Sequence, residues 1–293
     1  MRASRSRFLT VRGLRYHVRE WGPAEAGPER TLVMLHGWMD VSASFQFVVD
    51  QLAAGFRVLA PDWRGFGLTE SSGADCYWFA DYLGDLDALL QQISPAAPVN
   101  LLGHSMGGNV AMLYGGVRPE RLRTLVNLEG FGIKSAAPSE APGRYRRWLQ
   151  ELEEGASLRT YASLAEVAAR LRANNPRLTE ARALFLARHW SYADEDGALR
   201  IAADPSHKIV NPVLYRWEEV AACWSRISAP VLWLQAAETD AHRWAGEQNE
   251  IDARRGVVPD LEAVLVDDAG HMLHHDQPEL VARQIEAFLA RRS

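Results

Sequence analysis

Residues 99–110 read VNLLGHSMGGNV, a short apolar run followed by a glycine-rich turn. The spacing predicts a buried strand from Val99, a sharp turn at Ser105 and a helix after it. The pattern G-x-S-x-G is common by chance, but between a strand and a helix it indicates a turn that exposes a nucleophile. The flanking glycines have no Cβ atom to collide with the neighbouring elements. We therefore expect the Ser105 hydroxyl to stand above the carboxyl edge of a sheet, at the positive end of the following helix.

A serine hydroxyl needs a neighbouring base to act as a nucleophile, and the chain has nine histidines. His271 is the preferred candidate because it follows the last predicted strand, whose carboxyl end should lie at the same sheet edge as the serine. The base needs an acid that orients it. Asp240 follows the preceding strand and gives the order serine, acid, histidine. Glu129, at the end of another strand, and Glu238 are the rival candidates for the acid.

Cleavage of an acyl group builds an oxyanion, which needs donors aimed at the place where the charge appears. The predicted donors are two backbone N–H groups. One belongs to Met106, directly after the serine, and the other to Trp38, just after a strand that ends in His-Gly. The candidate residues for binding the substrate are Phe66, His104 and Glu129.

A second glycine-containing loop, PDWRGFG at residues 61–67, follows another predicted strand. It lacks the spacing and the helix entry of a phosphate-binding loop. We predict instead that Asp62 and Arg64 pair and anchor the loop, while Phe66 contacts the substrate pocket.

Further histidines and cysteines do not indicate a metal site. His274 and His275 lie near His271 in sequence, but no carboxylate or thiol at ligand-like spacing accompanies them, so we expect neither a metal nor an organic cofactor. Both are expected to lead into the last helix or to lie exposed. Cys76 and Cys223 are far apart in sequence and are predicted to be free thiols in a reducing cytoplasm.

Composition places the chain among ordinary globular proteins. It has 293 residues, 47% of them hydrophobic, and a net charge of −5. The negative charge argues against nucleic acid as a partner, because phosphate binding needs a concentrated basic surface. No apolar stretch is long enough to cross a membrane or to follow the basic first residues as a signal-peptide core. We expect a frayed terminus at residues 1–7 and a cytoplasmic protein, monomeric or homodimeric, that acts on a small molecule.

Short apolar runs alternate with helix-length segments, which predicts a mainly parallel sheet covered by helices. The alternation stops between residues 132 and 228, where helical spacing and prolines dominate. We interpret residues 132–228 as a helical cap inserted into a core domain of residues 1–131 and 229–293. Its aromatic residues are expected to line an apolar pocket or, equally, to form the cap's own core: Trp148, Tyr161, Trp190, Tyr192, Tyr215 and Trp217.

These motifs together resemble the α/β-hydrolase superfamily over nearly the whole chain. The matching positions are His-Gly-Trp at 36–38, the loop at 62–67, the serine turn at 103–108, Asp240 and Gly270-His271. The resemblance implies an α/β fold with an eight-stranded, mainly parallel sheet. It is strongest to a serine-hydrolase-like branch, similar in design to epoxide hydrolases and haloalkane dehalogenases, but those two reactions need an aspartate where this chain has Ser105. Residues 236–240 also lack the glycine that relatives often have there.

The expected reaction is hydrolysis of a small to medium, largely apolar carboxylic ester through an acyl-enzyme intermediate, with Ser105, His271 and Asp240 as the triad. The same triad could serve a thioester, a lactone, a carbon–carbon bond or perhydrolysis, because the fold does not determine the substrate. A non-catalytic binding protein of the same fold is the alternative from another class.

Overall fold

Eight strands of the computed structural model, which describes residues 1–292, form one sheet. Their order is β1-β2-β4-β3-β5-β6-β10-β11; β1, β2 and β4 pair antiparallel and all other neighbours pair parallel. This confirms the predicted mainly parallel sheet. The strands of residues 1–292 are β1 Ser4–Val11, β2 Leu14–Trp21, β3 Thr31–Leu35, β4 Arg57–Pro61, β5 Val99–His104, β6 Leu122–Leu128, β7 Thr160–Tyr161, β8 Ser191–Ala193, β9 Leu199–Ile201, β10 Val231–Ala236 and β11 Leu261–Val266.

Helices cover both faces of this sheet. Alternate residues of β3 point to opposite sides, so Val33 packs with α2, α3 and α7, whereas Leu32 packs with α1, α9 and α10. The helices of residues 1–292 are α1 Gln46–Gln51, α2 Phe79–Ile93, α3 Met106–Val117, α4 Ala141–Glu154, α5 Leu164–Asn174, α6 Glu180–Trp190, α7 Trp217–Trp224, α8 Gln248–Arg255, α9 Leu273–Asp276 and α10 Pro278–Arg291.

The first residues differ from the sequence-based expectation. The predicted frayed terminus is wrong, because residues from Ser4 onward form the edge strand β1 and pair with β2. Arg5 and Arg7 lie 3.3 and 3.4 Å from the Glu20 carboxylate of β2. Exposed charged side chains are common on edge strands, where they discourage pairing with another chain. The basic residues that suggested a free end are therefore part of the edge.

Residues 132–228 contain α4 to α7 and a small sheet of three short strands in the order β7-β9-β8. The sequence did not indicate these strands, because two or three residues are too few for a visible alternation. A separate apolar cluster includes Tyr161, Val167 and Leu186 of this region and also Phe47 of α1. In contrast, α7 packs against α3 and belongs to the core cluster on that face of the sheet.

The contact between α3 and α7 depends on Gly116. A Cβ atom at this position would lie 1.8 Å from the backbone carbonyl oxygen of Cys223. We expect Gly116→Ala to lower the free energy of unfolding by about 2–3 kcal/mol, since the two backbones would have to separate. Gly143→Ala in α4 is the matched control: no atom lies within 4 Å of its added Cβ, and the substitution should be neutral or stabilising. Urea unfolding of both variants checks this; equal stability of the two would contradict it.

Candidate active site

Ser105 lies at the turn between β5 and α3 in a strained left-handed backbone conformation, with φ 51° and ψ −114°. Its backbone N–H donates to the carbonyl oxygen of Leu128, 2.8 Å away. The turn is too tight for side chains at its glycines: a Cβ atom at Gly103 would lie 2.2 Å from the Gly107 oxygen, and one at Gly107 would lie 2.2 Å from the Leu35 oxygen. The glycines of the motif therefore allow the turn that exposes the Ser105 hydroxyl.

His271 faces this hydroxyl from the loop after β11. Its Nε2 lies 2.9 Å from Ser105 Oγ, and its Nδ1 lies 3.2 Å from Glu129 Oε2. With Nδ1–H donating to the carboxylate, Nε2 is free to accept from the serine. The His104 ring donates from Nε2 to the His271 carbonyl oxygen at 2.8 Å, and the Trp244 ring packs edge-on against the imidazole. His271 is thus held in place by its contacts with Glu129, His104 and Trp244.

Glu129, and not Asp240, meets the imidazole, so the structure corrects the predicted pairing of His271 with Asp240. Glu129 directly follows β6 with a φ of 58° and is 1% exposed. Its carboxylate also accepts from the Ala236 backbone N–H at 2.7 Å and from the Thr239 hydroxyl. Because Glu129 takes this left-handed conformation, the chain turns directly after β6. The Glu129 side chain then lies between the loop after β10 and His271.

The Asp240 side chain takes part in a different contact. It is 42% exposed and lies 3.2 Å from the guanidinium of Arg243, three residues further on. The reason is local: the Thr239 hydroxyl is directed to Glu129, and a short helical turn begins after Asp240 and directs its carboxylate outward. Glu238, the other rival, pairs with Arg177. Sequence order alone could not separate these carboxylates, because all follow strands at the same edge.

The two predicted oxyanion donors belong to residues that line the cavity beside Ser105. Within residues 1–292, the backbone N–H groups of Met106 and Trp38 donate to no protein acceptor, and both residues line the same cavity as Ser105. Met106 is the first residue of α3, so its N–H points outward from the positive end of a helix. Their role as oxyanion donors stays a prediction.

The three residues predicted to bind the substrate lie outside the cavity lining. Phe66 is buried and stacks on His207, with ring centres 3.8 Å apart. His104 is buried beneath His271, and Glu129 orients the base. All three therefore lie behind the cavity wall, and their contact with substrate stays a prediction that the cavity lining does not favour.

A cavity of about 600 Å³ opens beside Ser105. Its aromatic wall comes mostly from residues 77–82, a run that no sequence motif marked, although three consecutive aromatic residues lie at the start of α2. None of the six aromatic residues named for residues 132–228 lines it; Tyr161 and Trp190 instead pack within that region. The aromatic residues of the lining are Trp38, Tyr77, Trp78, Phe79, Tyr82 and Trp244.

The loop of residues 61–67 is anchored differently from the prediction. Asp62 and Arg64 do not pair with each other: Asp62 Oδ2 lies 2.7 Å from His17 Nδ1, and the Arg64 guanidinium makes two 2.5 Å bonds to Asp85. Burial alone would raise the pKa of the Asp62 carboxyl, but the hydrogen bond from His17 and the nearby His17 and His36 rings hold this pKa far below its usual range. Each charge of the loop therefore has its own buried partner elsewhere in the core.

A buried cluster lies behind the nucleophile. Asp40, His104 and His274 each offer one ligand atom, and these atoms lie within 4.8 Å of one another. Asp40 Oδ2, His104 Nδ1 and His274 Nδ1 have no hydrogen-bond partner in the protein. Two imidazoles and a carboxylate could hold a divalent transition metal, and a buried water could satisfy the same atoms. The expectation of no metal stays a prediction. Of the two positions expected for His274 and His275, the structure has the first: both lie in α9, directly before the last helix, and both are buried.

Buried histidines make stability depend on pH. Burial lowers the pKa of His36 to about 4 and that of His275 to about 3. His36 accepts from the Trp63 backbone N–H and donates to the Gly37 oxygen, an arrangement that requires the neutral ring. The unfolded chain takes up protons near pH 6.5 but the folded protein does not, so stability is complete above that pH and falls as pH drops towards 4. Asp40, whose pKa burial raises to about 7, acts in the opposite direction.

We expect the free energy of unfolding to fall by several kcal/mol between pH 7 and about pH 4.5. His36→Gln keeps an acceptor but does not titrate, so the decrease should be smaller by about 2–3 kcal/mol, even if the variant is less stable at pH 7. Denaturant unfolding at several pH values measures both slopes. Parallel slopes for the two proteins would show that His36 does not carry this dependence.

Comparisons with known proteins agree with the fold. The alpha/beta hydrolase fold family matches residues 30–278. The chain belongs to this family. A serine hydrolase-like protein of Danio rerio is 25% identical over 92% of this chain and 83% of its own length. The AB hydrolase superfamily protein YfhM of Bacillus subtilis strain 168 is 26% identical over 96% of both chains.

Among solved structures, a thioesterase domain from the curacin biosynthetic pathway superposes on this α/β-hydrolase with a TM-score of 0.86. It is 23% identical, with 97% of this chain and 99% of that domain covered, and so shows the fold. The protein is a hydrolase of the α/β fold. Within residues 1–292, no helix has the length and apolar character needed to cross a membrane.

Proposed function

We propose that this α/β-hydrolase is a serine hydrolase that cleaves small to medium carboxylic esters through an acyl-enzyme intermediate. The observation that carries the proposal is the continuous hydrogen-bonded series from the Glu129 carboxylate through the His271 ring to the Ser105 hydroxyl. Such a series is what a serine needs to attack a carbonyl carbon at neutral pH.

In the first step, His271 Nε2 takes the Ser105 proton as the hydroxyl oxygen attacks the ester carbonyl. The imidazolium that forms is stabilised by the buried Glu129 carboxylate. The backbone N–H groups of Met106 and Trp38 donate to the developing oxyanion. The imidazolium then gives its proton to the leaving alcohol, and an ester between Ser105 and the acyl group remains.

In the second step, His271 takes a proton from a water molecule as the water attacks the acyl-enzyme. The second tetrahedral intermediate collapses, the proton returns to Ser105, and the acid leaves. The apolar wall of the 600 Å³ cavity is suited to an acyl or alcohol group of moderate size. We assign residues 132–228 as a cap over this edge of the sheet, since they contribute α4 and the segment around His207 to the wall.

Thioester cleavage is the second candidate. The same groups would perform it, and the fold likeness to a domain described as a thioesterase favours including it. It differs only in the leaving group, a thiol that departs with less need of protonation. Comparing oxygen esters with thioesters of the same acyl chain decides between the two.

Labelling with a fluorophosphonate tests the nucleophile. We expect the native protein to be labelled on Ser105, because the reagent traps a serine activated by a base. A panel of p-nitrophenyl esters of increasing acyl length then measures turnover. Absence of both labelling and turnover would favour the alternative of a non-catalytic binding protein.

A further inference from the structure

The cavity beside Ser105 has an uneven charge distribution. Its lining includes three cationic side chains, Arg144, Arg147 and Lys208, and no aspartate or glutamate. This is unexpected in a chain whose net charge is −5. A concave site lined by one sign of charge concentrates the field and attracts ligands of the opposite sign.

Two of these cations have N–H groups available for a ligand. Arg144 donates from Nε to the Asn211 carbonyl oxygen at 2.7 Å, and Lys208 donates to the Ser157 carbonyl oxygen at 3.2 Å. Within residues 1–292, neither has a carboxylate at ion-pair distance. Arg147 differs, because Glu151 lies 2.6 Å from its Nε and neutralises it.

The two free cations are held in place beside the aromatic wall. The Trp38 indole N–H donates to the His207 carbonyl oxygen at 3.3 Å. This bond holds His207, the residue directly before Lys208, beside the aromatic wall. Asn211, the acceptor for Arg144, also bonds the Tyr77 carbonyl oxygen at 3.4 Å. An acyl or alcohol chain that leaves Ser105 along the aromatic wall would therefore reach positive charge.

We propose that the substrate carries an anionic group remote from the scissile bond, and that Arg144 and Lys208 bind it. The inference rests on the proposed ester hydrolysis and adds the substrate class. The planar guanidinium matches a carboxylate or a phosphate with two parallel bonds, and the ammonium adds a point charge. The anion has two sources: a terminal carboxylate on the acyl chain, or a phosphate on the leaving group.

Two matched substrate pairs separate these sources. The acyl pair is p-nitrophenyl hydrogen adipate and its neutral methyl ester. The leaving-group pair is the butyryl thioester of 4′-phosphopantetheine and that of pantetheine. We expect the native protein to have at least a fivefold higher kcat/KM for the anionic member of one pair, and that pair identifies the source.

Charge removal tests the residues. Arg144→Gln and Lys208→Gln should each lower kcat/KM for the preferred anionic substrate about fivefold, mainly through KM, and leave the neutral member within twofold. Arg146→Gln is the matched control: it removes the same charge from an exposed position of α4 that does not line the cavity. Equal rates within both pairs for the native protein, or an equal loss in the Arg146 variant, would overturn the proposal.

A binding measurement separates this inference from the hydrolysis itself. In a Ser105→Ala background, adipate and 4′-phosphopantetheine are titrated while the fluorescence of the cavity tryptophans is followed. Saturable binding that Arg144→Gln and Lys208→Gln weaken would support the anion site even if no ester is cleaved. Ester cleavage without any such binding would overturn the anion site and leave the proposed hydrolase activity standing.

Discussion

Replacing Glu129 by glutamine should lower kcat by about 10⁴-fold and leave the fold intact. An amide cannot stabilise the imidazolium, and it has one oxygen where the carboxylate uses two. Its NH₂ group would face either the Ala236 N–H or, in the other orientation, the His271 Nδ1–H and the Thr239 hydroxyl, where Nδ1 would have to accept. The ring would be driven towards the wrong tautomer. Steady-state kinetics with the best p-nitrophenyl ester measures kcat, and thermal unfolding verifies that the protein is folded.

Asp240→Asn is the control for this experiment. Its carboxylate lies at the surface beside Arg243, so the change should alter kcat by less than about threefold. The opposite result, a large loss for Asp240→Asn and a small one for Glu129→Gln, would restore the triad expected from the order of residues in the sequence.

Replacing Ser105 by alanine should lower kcat by about 10⁶-fold and abolish fluorophosphonate labelling, because no other group can form the acyl-enzyme. The alanine must take the same left-handed backbone conformation, with φ near 51°, so the turn stays equally strained and thermal stability should change little. A variant that is still labelled would place the reactive nucleophile elsewhere.

Much of the fold follows from local patterns. The strand before Ser105, the helix after it and the loop that carries His271 could all be predicted, because buried runs, glycines and alternation are properties of neighbouring residues. The edge strand β1 could not, since its exposed arginines resemble a free terminus. The short strands of residues 132–228 are likewise stabilised by their tertiary contacts.

The acid of the site could not be chosen from the sequence for a different reason. Glu129 and Asp240 both follow strands at one edge of the sheet, and which of them reaches His271 depends on backbone angles after each strand. Glu129 takes a φ of 58°, a conformation that an L residue rarely adopts and that sequence patterns do not reveal. The aromatic wall of residues 77–82 was missed because its position depends on how the first turn of α2 and the residues before it pack against the rest of the protein.

The stack of His207 between Phe66 and Tyr77, with ring centres 3.8 and 3.9 Å apart, makes one side of the cavity rigid. The His207 ring also forms hydrogen bonds with the Tyr82 hydroxyl and the Arg64 carbonyl oxygen. These bonds connect this side of the cavity to the core. Helix α4, which contacts the following segment through the bond from Arg144 to the Asn211 carbonyl oxygen, has no buried residue. We therefore expect the cavity to open beside α4, so that substrate enters and product leaves past Arg144.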